Sequence, residues 1–94
     1  MSFHLTRRRG TRPVRFPNRI REYRIRAGMS QDALAAQIGR SRSVISLWER
    51  GHTLPSVVDL FKLARALATL TESLYIGLYQ LHRPEIAATN PVAA

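Results

Sequence analysis

Cysteine is absent from this 94-residue chain, which excludes disulfides, thiolate metal sites and cysteine nucleophiles. Histidine is scarce. His4, His52 and His82 stand far apart and none lies at metal-ligand spacing, so no metal site is expected. No apolar run approaches the roughly 20 residues of a membrane span, and MSFHLTRRRG at the start lacks the apolar core of a signal peptide. The expected compartment is the cytoplasm, with no membrane association, no cofactor and no small-molecule ligand. A catalytic constellation is missing too. Ser41, Ser43 and Ser46 have no histidine beside them, and helix caps and surface positions account for them, so an enzyme is not expected. Acidic residues number only 6 against 15 basic ones, for a net charge of +9.

Of those basic residues only Lys62 is a lysine; the rest are arginine. Arginine pairs bidentately with phosphates and guanine edges, so the bias fits nucleic acid, although a GC-rich coding bias accounts for the choice of arginine over lysine equally well. A chain of this length forms one small domain. Its core is small enough that self-association is a natural source of added stability.

The charge is unevenly spread. Arg7, Arg8, Arg9, Arg12 and Arg15 precede Asn18 with no acidic residue among them. Pro13, Pro17 and Gly10 argue against a helix there. Residues 1–17 therefore read as a basic, flexible arm able to follow a minor groove or a phosphate backbone, or else as a solvated tail that adds only non-specific affinity. A domain over 18–83 and a flexible tail over 84–94 complete the division.

Helical punctuation divides the domain. Asn18 is the expected cap of a first helix ending at Ala27, with Ile20, Tyr23 and Ala27 on its inner face and Gly28 as its stop. Ser30 caps a second helix over Gln31 to Ile38, with Leu34, Ala35 and Ile38 inside and Gly39 in the turn. Ser41 caps a third from Arg42 to Arg50, stopped by Gly51. Its Val44, Ile45 and Trp48 turn inward, while Arg42, Ser43, Ser46, Leu47 and Arg50 face outward or sideways. An outward Leu47 among polar residues suits contact with thymine methyls, and equally an isolated surface leucine. Ser56 caps a fourth helix, with Asp59 as a capping-box variant and Val57, Leu60, Leu63, Ala64 and Leu67 as its stripe, ending near Ala68. Thr71 caps a fifth, Glu72 to His82, with Pro84 beyond it. Apolar side chains surround most of that helix, and Leu74, Tyr75, Leu78 and Tyr79 are the candidate dimer surface.

Read as one string, SQDALAAQIGRSRSVISLWERGHTLPSVVDLFKLARAL resembles the Xre, or Cro and lambda-repressor-like, helix-turn-helix family. The likeness covers about Asn18 to Tyr75, and the order and spacing of its pieces carry it. It implies an all-α, compact five-helix domain in which the helix-turn-helix is formed by helices 2 and 3, binding double-stranded operator DNA as a homodimer. It implies that Arg42, Ser43 and Leu47 read bases, and that Arg24, Gln31, Arg40, Ser41, Ser46 and Arg50 lie near the DNA backbone. Gln31 would also buttress helix 3, and Arg24 and Glu49 would form a structural salt bridge. Two departures stand out. The family has glycine after helix 4 where this chain has Ala68 and Thr69, and the basic arm is not part of the family pattern.

The expected function is sequence-specific transcription regulation by a dimeric repressor reading a palindromic operator through the major groove with helix 3. No separate ligand-sensing domain is expected, so control would come from concentration, proteolysis or a partner, as in small phage regulators and restriction-modification controllers. The alternative is the antitoxin of a toxin-antitoxin pair, with a toxin partner on helix 5 or the tail. An activator is less favoured, since only Asp32 is available near helix 2. A non-specific RNA binder would be expected to show aromatics on a sheet.

Overall fold

A computed structural model describes residues 13–89 of the chain. Six helices occur among them, with no strand: α1, Ile20–Arg26; α2, Gln31–Ile38; α3, Arg42–Glu49; α4, Val57–Ala66; α5, Thr71–Leu74; and α6, Ile76–Thr89. The fold is the all-α helix-turn-helix architecture, with the expected last helix divided in two.

Hydrophobic burial organises the helices around one cluster. Ile20 comes from α1, Leu34, Ala35 and Ile38 from α2, Ile45 and Trp48 from α3, Leu63 and Ala64 from α4, and Leu67, Leu74 and Tyr75 from the C-terminal part. Five of these, Ile20, Leu34, Ile45, Leu63 and Leu74, are fully buried. Burying each is worth about 1.5–3 kcal/mol. Phe16, Tyr23, Val44, Leu60 and Leu78 pack on the rim.

Several expectations give way. Asn18 is not the N-cap residue of α1; Arg19 occupies that position and makes no side-chain capping bond. Asn18 instead accepts from the Ile20 N–H at 3.0 Å and donates to the carbonyls of Phe16 and Trp48 at 2.9 and 2.7 Å. It ties the start of α1 to the end of α3, a link that a local capping rule cannot foresee. Ala27 is exposed, because α1 ends one residue before it. Val57 is exposed as well. The inner face of α4 runs through Asp59, Leu60, Leu63, Ala64 and Leu67 at helical spacing, and Val57 falls at its rim.

The α4–α5 turn answers the missing glycine. Ala68 takes a left-handed φ of 53°, and the N–H groups of Ala68 and Thr69 reach back to the carbonyls of Arg65 and Ala64. The turn is thus the kind that favours glycine, closed by an alanine. Leu70, not Thr71, caps α5, and it has no side-chain bond. Tyr75, at φ −122° and ψ 43°, breaks the chain from α6, and α6 continues past Pro84 to Thr89. Residues 84–89 are thus part of a helix, while 90–94 of the expected tail lie outside the described residues.

Residues 13–17 are held against the domain. The N–H groups of Arg15 and Phe16 both donate to the Gly51 carbonyl, at 2.9 and 3.0 Å, and Phe16 packs on the core. The part of the chain that packs on the domain thus includes residues before Asn18. Arg7, Arg8, Arg9 and Arg12 of the expected arm lie outside the described residues.

Candidate nucleic-acid interface

Local chemistry makes α2, α3 and the turn between them. Ser30 Oγ accepts from the Ala33 N–H at 3.0 Å, and Ser41 Oγ from the Val44 N–H at 3.3 Å. Each hydroxyl satisfies one of the free donors at a helix start. Between the two helices Gly39 sits at φ 80°, where a side chain would strain the backbone, and the N–H groups of Gly39 and Arg40 close onto the Ala35 carbonyl. Ile45 and Trp48 anchor α3 in the core.

With that face buried, the other is presented to solvent. Arg42, Ser43, Ser46, Leu47 and Arg50 line a shallow cleft together with Gln31 from the start of α2. Arg42 is two-thirds exposed, with Asp32 only at 4.0 Å. Ser43 and Arg50 are exposed, whereas Ser46 and Leu47 are half-buried. The first-turn N–H groups of α3 and the positive end of its dipole add to this field. The combination of a guanidinium, hydroxyls and one apolar side chain on the solvent face of α3 suits base edges and thymine methyls.

Beneath the cleft lies a buried polar network. The Arg24 guanidinium grips Glu49 through Nε and, at 3.2 Å, through Nη2, and Nη1 donates to the Met29 carbonyl at 2.8 Å. The Gln31 amide donates to Glu49 Oε1 at 2.9 Å. Side-chain exposure is 11% for Arg24 and 2% for Glu49, so two charges are removed from water and remain tolerable only because they are paired and hydrogen-bonded. All three side-chain nitrogens of Arg24 bond within the protein, which gives it a structural role. Gln31 is directed at Glu49 and so braces α3 from α2.

The remaining candidates divide. Ser41 Oγ accepts the Val44 N–H as the α3 cap, a bond that leaves its own O–H able to donate. Arg40 is held by Asp59 of α4, at 3.1 Å from Nε and 3.0 Å from Nη2. Leu74 and Tyr75, expected at a dimer surface, are buried within this chain, because the break at Tyr75 turns both inward. Leu78 is half-buried on the core edge, and Tyr79 and Leu81 are exposed. Burial pushes the Tyr75 hydroxyl well above the ordinary tyrosine range, so it stays neutral. Glu72 is drawn below the usual carboxylate range by its own backbone N–H and by Thr71.

Sequence reasoning missed the structural partners Asn18 and Asp59 in their observed roles. Beside its local bonds Asn18 reaches Trp48, 30 residues away, and the Asp59 side chain bonds Arg40, 19 residues away. No group of three metal-ligating side chains occurs among the described residues, and none of the described helices is long and apolar enough to cross a membrane.

Comparison with known proteins agrees with this geometry. The helix-turn-helix family HTH_3 matches residues 20–73. An uncharacterized HTH-type transcriptional regulator of Archaeoglobus fulgidus is 40% identical over 58 residues, which cover 62% of this chain and 83% of the relative. Another from Methanothermobacter thermautotrophicus is 40% identical over 48 residues, 51% of this chain and 70% of that protein. Among solved structures, the restriction-modification controller protein C.AhdI from Aeromonas hydrophila matches with a TM-score of 0.59 and 40% identity, over 66% of this chain and 94% of that one. A family match over more than half of the chain identifies it as a member of the helix-turn-helix family of DNA-binding transcriptional regulators.

Proposed function

We propose that the chain is a dimeric repressor that reads a palindromic operator by laying α3 in the major groove. The observation that carries this reading is the outer face of α3, where Arg42, Ser43 and Leu47 stand together above a rigid, ion-paired base. In this reading those three side chains meet base edges, and Gln31, Ser41, Ser46 and Arg50 lie along phosphates and sugars. The net charge of +9 supports strong attraction to any duplex, and in this reading specificity comes from α3. The likeness to a restriction-modification controller protein supports a small regulator of this kind. A second copy would cover Tyr79 and Leu81, with Leu78 between them on α6.

Selection of bound sites from a random duplex library at about physiological salt tests the proposal. The expected result is a palindrome with half-sites about one helical turn apart. Arg42→Ala should relax preference at one base and cost roughly 1–3 kcal/mol on the selected site. Arg50→Ala should weaken all duplexes evenly and lower the salt slope by about one unit. Even weakening by Arg42→Ala would place it on a phosphate instead, and no enriched motif would remove the operator-reading function.

One observation favours a second reading, an antitoxin. Val57, Val58 and Phe61 leave an exposed apolar patch on α4, and such patches mark protein contacts. Copurification of a toxin encoded beside the gene would move the conclusion to that function.

A further inference from the structure

The turn that leads into α3 carries a charge tie that lies apart from the reading cleft. Asp59 stands in the first turn of α4, where its backbone N–H fills the Ser56 cap at 3.1 Å. Its side chain makes no capping bond of its own. That side chain is nonetheless only 5% exposed. Oδ2 accepts from Arg40 Nε and Nη2 at 3.1 and 3.0 Å, and Oδ1 is buried without a hydrogen bond among the described residues. A buried carboxylate is costly, and an apolar side chain of similar size would fill the place without that cost.

What the carboxylate grips explains its place. The Arg40 backbone is already fixed by its N–H bond to the Ala35 carbonyl at 3.0 Å. The next residue, Ser41, caps α3. The guanidinium turns to α4 and is not among the side chains that line the cleft. At the far end of α3, Glu49 is tied to Arg24 of α1. The recognition helix is thus pinned by one ion pair just before its first residue and by another at its last.

We infer that the Arg40–Asp59 pair is a brace that sets the angle of α3 against α4. Arg40 is then a positioning residue and not a phosphate contact, and Asp59 acts on DNA reading through it. The inference rests on α3 being the helix that reads DNA.

The test uses the full chain and its selected duplex, with Arg40→Lys, Asp59→Asn and the double variant. Lysine keeps the charge but lacks the planar fork that holds a carboxylate through two nitrogens. Each single variant should lower affinity roughly tenfold, the scale of coupling carried by such contacts, with the salt slope unchanged. The double variant should be no weaker than the worse single one, because the pair acts as a unit. Near wild-type binding by Arg40→Lys together with a slope lowered by about one unit in Arg40→Gln would overturn the inference and make Arg40 a phosphate contact. Tighter binding by Asp59→Asn, which frees Arg40, would overturn it as well. Thermal unfolding of each variant is measured alongside; if Asp59→Asn does not fold, the half-exposed Arg40 variants carry the test.

A DNA-free readout separates this inference from the reading of α3. If wild type selects no duplex, that reading fails, yet slow exchange of the Arg40 Nε proton in wild type and its loss in Asp59→Asn would still establish the ion pair on which the brace depends. Free-guanidinium exchange in wild type would refute it.

Discussion

The α2–α3 unit and the α5–α6 segment are held by opposite means. α2 and α3 each begin at a serine that accepts a first-turn N–H, and each is followed by a glycine in the left-handed region. Ion pairs tie the unit to α1 and α4. α5 has no side-chain cap, follows a left-handed alanine and breaks from α6 at Tyr75. What holds it is the burial of Leu74 and Tyr75, with the Leu74 carbonyl accepting from the Arg19 N–H at 2.8 Å. The helix that presents a reading face is fixed by directional bonds, which specify an angle. The segment that closes the core is fixed by apolar burial, which is non-directional and tolerates an irregular backbone.

Removing a directional tie should have the largest effect. Glu49→Ala leaves the Arg24 guanidinium buried with only the Met29 carbonyl, and should cost about 3 kcal/mol. At about 5 °C per kcal/mol for a chain of this size, the melting temperature in a circular-dichroism scan should fall by roughly 15 °C. A fall of only a degree or two would show that the network contributes little and would erase the contrast.

Gly51→Ala comes next. An added Cβ would stand 2.9 Å from both the Phe16 carbonyl oxygen and Val14 Cγ1, at a φ of 76°. The expected loss is about 2 kcal/mol. Amide exchange should rise more at Arg15 and Phe16 than in α2; uniform acceleration would mean that the 13–16 segment is not a separate contact.

The C-terminal half should respond in the other direction. Ala68→Gly relieves an exposed, left-handed alanine, and should raise stability by about 1 kcal/mol. A loss would show that the entropy glycine adds to the unfolded chain outweighs that relief. Smallest of all, Tyr75→Phe removes a buried hydroxyl that has no hydrogen-bond partner among the described residues. Stability should stay level or rise by less than about 1 kcal/mol, and a clear loss in urea unfolding would reveal a partner for that hydroxyl.

The same contrast governs what could be read before folding. Ser30, Gly39, Ser41 and Ser56 announced α2, α3 and the start of α4, because a cap or a left-handed glycine involves atoms only a few residues apart. The outer face of α3 followed from helical spacing alone. The resemblance to a known family supplied the Arg24–Glu49 pair, which spacing could not. Thr71 misled, since a good capping residue stood where Leu70 took the position, and Pro84 misled because α6 continues through it.

The sequence by itself determined the all-α class, the two capped helices and the basic, polar face that one of them presents, since these depend on side-chain period, charge and short-range hydrogen bonds. Only the tertiary structure decided that Asn18 reaches Trp48, that Asp59 holds Arg40, and that Leu74 and Tyr75 belong to the core. Those assignments depend on which groups meet after the chain has closed on itself, and a buried charge or apolar side chain takes its role from the partner that removes it from water.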